Sequence, residues 1–387
     1  QITTNSNVYA YPQWSPDGKY IAFISDKTGE DEIYIIRPDG TGLTQLTSDA
    51  KSYRWELLWS PDSKMILNSD KLMNLYLIDI ATKQVKTITN SKVWEIRDFS
   101  FSPDCQWVTY TDYAENRFPV IFLYSIKENK SYQITNEFFQ NSQPTWDPSG
   151  DYLYFVSDRH FDGKYGNFEF NYLFNDMQII FGIALRKDVV NPFASYEGES
   201  PVKIDSTKSD DQNAAKKSKS KTDNNSDNTL IKIDLDNIQN RVFEFPISNG
   251  NYYGIYAFKN KIYYARYKDG VEPTLYSFDL KEKKENELGK YSSYRISNDG
   301  KYILINQKSD YYITKLDSKL DLKETKLDLD QMELSLDRRA EWDQVYNEAW
   351  RQMKYFFYNP NMNGLDWNLI RERYGKLLPY INHRYDL

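Results

Sequence analysis

Short runs of bulky residues, each about the length of a strand, are separated by clusters of turn residues along most of this chain. Tyr20 to Ser25 alternates and is rich in branched and aromatic residues, so it reads as a strand. Lys27 to Asp31 is a polar hairpin loop, and Glu32 to Arg37 is a second strand. Pro38-Asp39-Gly40 is a turn, and Leu43 to Thr47 is a short outer strand. Ahead of them stands Trp14-Ser15-Pro16-Asp17-Gly18. In that turn proline presets φ, aspartate bonds its local backbone, and glycine takes a positive φ.

The same unit returns. Trp59-Ser60-Pro61-Asp62-Ser63, Phe101-Ser102-Pro103-Asp104-Cys105 and Trp146-Asp147-Pro148-Ser149-Gly150 repeat the turn, and Ile296-Ser297-Asn298-Asp299-Gly300 is a weaker copy. The first four copies begin 45, 42 and 45 residues apart, the size of one four-stranded propeller blade. Strands Met65–Ser69, Leu75–Asp79 and Val85–Thr89 repeat the pattern, as do Trp107–Thr111, Ile121–Ser125 and Ser131–Thr135. Gln1-Ile2-Thr3 matches the ends of these outer strands, so it either closes the ring against the last blade or belongs to a seventh.

The fourth unit, starting at Thr145, is interrupted. Tyr152–Ser157 and Gln178–Leu185 read as its strands and Arg241–Ile247 as its outer strand. Between them, about residues 206–228 carry no aromatic or branched apolar cluster, and burial cannot offset their ordering entropy; this stretch reads as a disordered surface insertion. A fifth unit has strands Tyr253–Phe258, Lys261–Arg266 and Leu275–Asp279, and a sixth has Tyr302–Asn306 and Tyr311–Lys315. The fold class expected is all-β, a β-propeller of six to seven four-stranded blades over residues 1–332. Each blade must cover its faces with neighbours, so the ring has to close or be capped.

From Asp337 the period changes to that of a helix. Trp342, Val345, Tyr346, Ala349, Trp350, Met353, Phe356 and Phe357 share helical spacing. Asn359-Pro360 stops that helix, and Asp366 caps a second one carrying Trp367, Ile370, Tyr374, Leu377 and Leu378. Helices this apolar need a core to pack on. Residues 333–387 are therefore expected to be the helical beginning of a further domain.

Composition narrows the class. Aromatic residues make up 16% of the chain, which suits sheets. The net charge of −7 argues against nucleic acid as a partner. No run has the length of a membrane span and no stretch reads as a signal peptide. The chain opens at Gln1 without Met, as a mature form, a processed form or a fragment would. Cys105 stands alone, which excludes an internal disulfide and a cysteine zinc site and leaves the compartment open.

The tail resembles one family. Arg338-Arg339-Ala340-Glu341-Trp342, Glu348-Ala349-Trp350-Arg351, the run from Phe357 to Trp367, and Arg371-Glu372-Arg373-Tyr374-Gly375-Lys376-Leu377-Leu378-Pro379 look like the start of the catalytic core of tricorn-type serine proteases. Lys232 to Val242 resembles that family's propeller after its charged insertion. The Ser-Pro-Asp turns are shared more widely, with TolB-like and prolyl-oligopeptidase propellers. The resemblance implies a two-propeller peptidase, of which this chain is the second propeller and the start of the core. It implies peptide or unfolded protein as substrate, PDZ-like and catalytic domains as partners, a homo-oligomer in some members, and a cytoplasmic protein, or a periplasmic one had a signal peptide been removed. The family's catalytic His falls just past Leu387, and its Ser nucleophile and acidic partner fall further on. The alternative is a free-standing TolB-like binding propeller whose helices dock a partner protein.

A serine hydrolase needs a base, and only His160 and His383 are present. His160 reads as an exposed hairpin residue, and His383 carries no catalytic expectation. There is no Gly-x-Ser-x-Gly elbow and no phosphate-binding glycine loop. Asp17, Asp62 and Asp104 read as turn formers rather than metal ligands. Asp26, Asp70, Asp112 and Asp158 follow the second strand in four blades and read as hairpin caps, although such a ring can line a propeller face and meet ligands. Trp14, Trp59, Phe101 and Trp146 are expected to wedge between blades. The expectation is no catalytic, cofactor-binding or metal residue in this chain, and no cofactor.

Overall fold

A Ser-Pro-Asp turn joins two antiparallel strands, and four such strands make a sheet with two apolar faces to cover. A computed structural model describes residues 9–48, 50–160, 163–166, 171–194, 230–291, 293–317, 319–333 and 335–387. The orphan strand Gln1-Ile2-Thr3 and the insertion at about 206–228 lie outside the described residues.

Six antiparallel sheets follow one another along the chain. Blade 1 is β1 (Tyr9–Trp14), β2 (Ile21–Ser25), β3 (Glu32–Ile36) and β4 (Thr44–Gln45). Blade 2 is β5 (Arg54–Trp59), β6 (Met65–Asp70), β7 (Asn74–Asp79) and β8 (Val85–Asn90). Blade 3 is β9 (Phe99–Phe101), β10 (Trp107–Tyr113), β11 (Pro119–Ser125) and β12 (Lys130–Gln133). Blade 4 starts with β13 (Asn141–Trp146) and β14 (Tyr152–Ser157). A two-stranded ribbon, β15 (Lys164–Tyr165) and β16 (Tyr172–Leu173), then precedes its outer strands β17 (Ile179–Ala184) and β18 (Val242–Glu244). The ribbon was not foreseen, because two-residue strands carry no periodicity. Blade 5 is β19 (Asn251–Phe258), β20 (Lys261–Tyr267), β21 (Thr274–Asp279) and β22 (Lys284–Gly289). Blade 6 is β23 (Ser293–Ile296), β24 (Tyr302–Gln307) and β25 (Asp310–Lys315), and its fourth place is taken by a single bridge between Tyr312 and Lys326.

The turn is the same object in each copy. Ser15 Oγ donates to Asp17 Oδ1 (2.7 Å) and accepts from Tyr20 N (3.0 Å), and Gly18 N donates to Ser15 O (2.9 Å). Ser60 and Asp62, Ser102 and Asp104, and Ser297 and Asp299 repeat the bond at 2.7, 2.5 and 2.7 Å. In blade 4 the two residue types are exchanged, and Ser149 donates to Asp147. The fifth position is left-handed in every copy, at Gly18, Ser63, Cys105, Gly150 and Gly300. Serine and cysteine there accept a strain that glycine avoids.

Each inner-strand aromatic packs on the blade before it. Trp59 joins the blade 1 cluster of Ala22, Ile24, Ile33 and Ile35, and its Nε1 donates to Gln13 O (3.1 Å). Phe101 packs with Leu67, Leu75 and Leu77 of blade 2, and Trp146 with Ile121, Leu123 and Ile134 of blade 3. Trp14 does not follow. It is 58% exposed, which corrects the expectation that all four aromatics wedge between blades. Among the described residues no sheet stands on its outer side, and at the other end of the array Tyr302 and Ile313 of blade 6 are exposed as well.

Beyond the blades lie α1 (Arg338–Phe356) and α2 (Trp367–Gly375). Asp337 Oδ1 accepts from Arg339 N (3.0 Å) and Asp366 Oδ1 from Leu369 N (3.0 Å), so both helices begin at an aspartate cap. Helix α1 ends at Phe356, ahead of Pro360. The helices are clasped by Trp350 Nε1 donating to Trp367 O (2.8 Å) and Trp367 Nε1 to Trp350 O (3.0 Å). Among the described residues no helix is long and apolar enough to cross a membrane.

Trp146→Ala is expected to destabilise the propeller by about 3–5 kcal/mol, while Trp14→Ala, whose ring is already in water, changes the urea midpoint far less. Cys105 is buried, and burial pushes its thiol up to about 11. It is expected to resist a thiol-reactive dye at pH 8 in the folded protein and to react on unfolding.

Candidate functional site: the channel mouths and the propeller–helix joint

Two places gather side chains from several blades. The first is a cavity of about 490 Å³ at the end of the propeller where the Ser-Pro-Asp turns stand. It is lined by Pro61, Phe101, Pro103, Pro144, Trp146, Pro148, Tyr256, Phe258 and Asn298. These residues come from five consecutive blades at equivalent positions, so the cavity lies on the axis and is a channel mouth. Proline supplies rigid apolar surface and removes a donor, so this mouth offers few polar groups to whatever enters it.

The channel wall is tied blade to blade by inner-strand bulges. Register slips between Ala10 and Gln13, Arg54 and Leu57, Ser142 and Thr145, and Tyr253 and Tyr256. A bulge frees backbone groups from the ladder, and neighbouring blades take them. Asp98 Oδ2 accepts from Gln143 N (3.1 Å), Gln143 Oε1 from Gly254 N (3.1 Å), and Gln143 Nε2 donates to Tyr252 O (2.8 Å). Tyr294 Oη continues the relay to Gly254 O (2.6 Å). Burial pushes the Asp98 carboxyl upward, opposed by the Gln143 amide. Gly254 has φ +65, and a Cβ there would meet Tyr294 Oη at 2.8 Å.

The second place is the joint between α1 and the opposite end of blades 1 and 2. Glu348, Arg351 and Tyr355 fall on one helix face by their three- and four-residue spacing. Arg351 is buried and its Nη1 lies 2.5 Å from Asp31 Oδ1. Its Nη2 and Nε donate to Glu348 Oε2 (2.7 and 3.1 Å), and its guanidinium stacks on Tyr53 (4.6 Å). Tyr53 Oη donates to Glu348 Oε1 (2.7 Å). Beneath this pair Arg54 donates from Nε to Asp31 O (2.9 Å) and from Nη1 to Asn68 Oδ1 (2.9 Å), with Glu32 at 3.4 Å. Lys354 pairs with Glu30 (3.1 Å), and Phe356 packs on Tyr53 under Lys71. Burial would lower the Arg351 guanidinium, but the Asp31 and Glu348 carboxylates hold it above its usual range. Burial pushes Asp31 up against the pull of Arg351.

The residues singled out in the sequence are scattered. Asp17, Asp62 and Asp104 each bond the serine of their own turn. The set Asp26, Asp70, Asp112 and Asp158 does not form one level. Counted from each blade's aromatic, Asp70 and Asp112 stand one position earlier than Asp26 and Asp158. Asp70 and Asp112 accordingly lie within β6 and β10, while Asp26 and Asp158 stand just past the ends of β2 and β14. Asp70 caps its hairpin, accepting from Asn74 N (2.9 Å) and Tyr76 Oη (2.9 Å). Burial pushes Asp158 up. His160 is exposed, and His383 caps a last helical turn, its Nδ1 accepting from Tyr385 N (3.2 Å). Among the described residues no three His, Cys, Asp or Glu side chains converge as a metal site. The joint was missed because its partners lie about 300 residues apart. Its one local signal is the charged pair Glu348 and Arg351 inside an apolar helix pattern.

Six propeller blades followed by capped helices define a propeller protein with an appended helical segment. Residues 1–317 match the model of the tricorn protease second beta propeller domain, and residues 338–387 that of the tricorn protease C1 domain. The chain belongs to the tricorn protease family. It is 28% identical over 394 residues to a putative tricorn-like protease C-terminal subunit of Sulfurisphaera tokodaii, covering 98% of this chain and 42% of that protein. It is 26% identical over 398 residues to a tricorn protease homolog of Saccharolobus solfataricus, covering 98% of this chain and 34% of that protein. The crystal structure of the tricorn protease superposes with a TM-score of 0.80 at 19% identity over 98% of this chain and 36% of that one. The chain thus spans less than half the length of these relatives. The C1 match of the helical segment decides for this family over a free-standing TolB-like propeller.

Arg351→Met leaves the buried Asp31 and the half-buried Glu348 without their cation, and is expected to weaken the docking of α1 by about 3–5 kcal/mol. The measurement is hydrogen exchange, with faster exchange confined to α1 and the blade 1 hairpin. Asp31→Asn combined with Arg351→Met is expected to recover part of that loss.

Proposed function

We propose that this chain is the entry module of a tricorn-type serine peptidase, taking unfolded peptide through its central channel and holding the catalytic part in register with it. The observation that carries this reading is the apolar mouth on the axis, built from Ser-Pro-Asp turn prolines with Phe101, Trp146, Tyr256 and Phe258. Folded proteins present few contiguous apolar segments, and unfolded ones present many. A mouth poor in hydrogen-bonding groups therefore favours an extended, apolar stretch of chain. The polar joint at α1 supports the second half of the reading, because a buried ion network fixes one orientation of a helix more strictly than apolar contact does.

In this reading the propeller is residues 1–332 and the core domain begins in 333–387. The nucleophile and its base lie in parts of the protein beyond these 387 residues, and this chain supplies no catalytic group. A cytoplasmic location and a homo-oligomeric state belong to the same reading and are carried by the family resemblance.

The test uses a reduced, alkylated and permanently unfolded protein as ligand. The 387-residue chain is expected to bind it, measured by fluorescence anisotropy, and to leave it uncleaved; a protein of the relatives' full length is expected to cleave it. Phe258→Glu places a charge in the mouth and is expected to weaken binding about tenfold or more, given the penalty for an unpaired charge against apolar surface. Equal binding of the folded and unfolded ligand, or unchanged binding by Phe258→Glu, overturns the reading.

A further inference from the structure

Three arginines drawn into the propeller or its helix joint are paired with acid, and Arg241 places its donors on backbone carbonyls of Ala184, Leu185, Asp234 and Asp236. Arg54 has Glu32 at 3.4 Å, Arg266 has Glu285 at 2.7 Å, and Arg351 has Asp31 and Glu348. Arg159 has neither an acid nor a set of carbonyls among the described residues. Its Nε donates to Ser157 Oγ (3.1 Å) and its Nη2 reaches Asn141 Oδ1 at 3.5 Å, both neutral oxygens on fully buried residues. The guanidinium is surrounded by three rings, Phe139 at 5.3 Å, Phe155 at 5.6 Å and Phe181 at 5.0 Å. Among the described residues no carboxylate pairs with it. A guanidinium has five N–H donors, so the Nη1 edge keeps donors that these oxygens do not engage. Burial lowers its pKa.

The surroundings are built rather than accidental. Ser157 closes β14 and Asn141 opens β13, and Asn141 Nδ2 donates to Phe139 O (2.7 Å), which fixes the ring that flanks the guanidinium. Phe138, beside it, is 80% exposed. Arg159 follows the second strand of blade 4, the place that in blade 1 forms the hairpin carrying Asp31. It therefore stands at the α1-bearing end of the propeller, away from the apolar mouth. A planar cation held by buried neutral groups and flanked by apolar rings is matched by a carboxylate, which bonds both nitrogens of the fork at once.

We propose that Arg159 is a carboxylate anchor at the helix-bearing end of the propeller, with Phe138 and Phe139 holding the apolar residues beside the bound carboxylate. The ligand chemistry is a peptide carboxylate, from the chain terminus or from an Asp or Glu side chain. This deepens the peptide-entry reading and rests on it.

The experiment measures anisotropy of a fluorescein-labelled apolar hexapeptide in three forms: free C-terminal carboxylate, C-terminal amide, and amide with one internal Glu. The full 387-residue chain is expected to bind the free acid about tenfold tighter than the amide, the scale of one charge-assisted paired bond. R159Q is expected to bind both equally, with its thermal midpoint showing that it is folded. Should R159Q unfold, R159K decides, because one ammonium cannot form the paired bonds; its preference is expected to fall to about threefold or less. If the Glu peptide behaves like the free acid, the anchor takes any carboxylate; if it behaves like the plain amide, the anchor takes the terminus. Equal binding of acid and amide by the wild-type chain, or a preference that survives R159Q or is undiminished in R159K, overturns the proposal and leaves the entry reading standing. Absence of binding by all three peptides overturns both.

Discussion

A four-stranded blade has two apolar faces and can cover neither by itself. Everything else in this protein follows from how that constraint is met. The aromatic residue at the end of each inner strand leaves its own sheet and fills the face of the sheet before it: Trp59 on blade 1, Phe101 on blade 2, Trp146 on blade 3. The contact is one-directional, so the blades must follow one another in order around an axis. The Ser-Pro-Asp turn that follows each aromatic then projects its proline toward that axis, and the channel mouth is a by-product of the packing. Where the constraint is not met, at Trp14 and at Tyr302 and Ile313, apolar surface stays open to water.

The helical segment meets the propeller by different physics. An apolar helix face would slide on an apolar blade end, since hydrophobic burial is non-directional. Here the contact is centred on Arg351, held by Asp31 and Glu348 and stacked on Tyr53. Such a network adds little net stability compared with an apolar interface of the same size, because desolvation of the charges opposes their attraction. What it supplies is a single geometry. The two faces of the propeller are thus chemically unlike, one apolar and lined by proline, the other charged and bonded to helix, with Arg159 on the charged side.

The repeat and its strands were legible in the sequence because the information is local. Turn chemistry, strand alternation and a fixed spacing recur within each unit, and Tyr152–Ser157 and Lys261–Tyr267 fall where alternation puts them. The cap Asp366 depends on residues within a turn of it, whereas the cap at Asp337 is seen only in the structure. The candidate sites were less legible. Asp26, Asp70, Asp112 and Asp158 look equivalent in the sequence, but Asp70 and Asp112 lie within β6 and β10 while Asp26 and Asp158 stand just past β2 and β14. The inner-strand bulges at Gln143 and Gly254 have no marker beyond the glycine, and the relay through Asp98 crosses blades.

By itself, then, the sequence determined that four-stranded units repeat, where each turn bends, and that two helices follow, the second capped by Asp366, since all of these rest on interactions between residues close in the chain. The tertiary structure alone decided which aromatics are buried, since Trp14 and Trp146 share a motif, yet among the described residues only Trp146 has a sheet beside it to fill. It alone brought Arg351 to Asp31 across the length of the propeller and set Arg159 against the neutral oxygens of Ser157 and Asn141, because the partner of a buried charge is chosen by where the chain returns and not by what lies next to it.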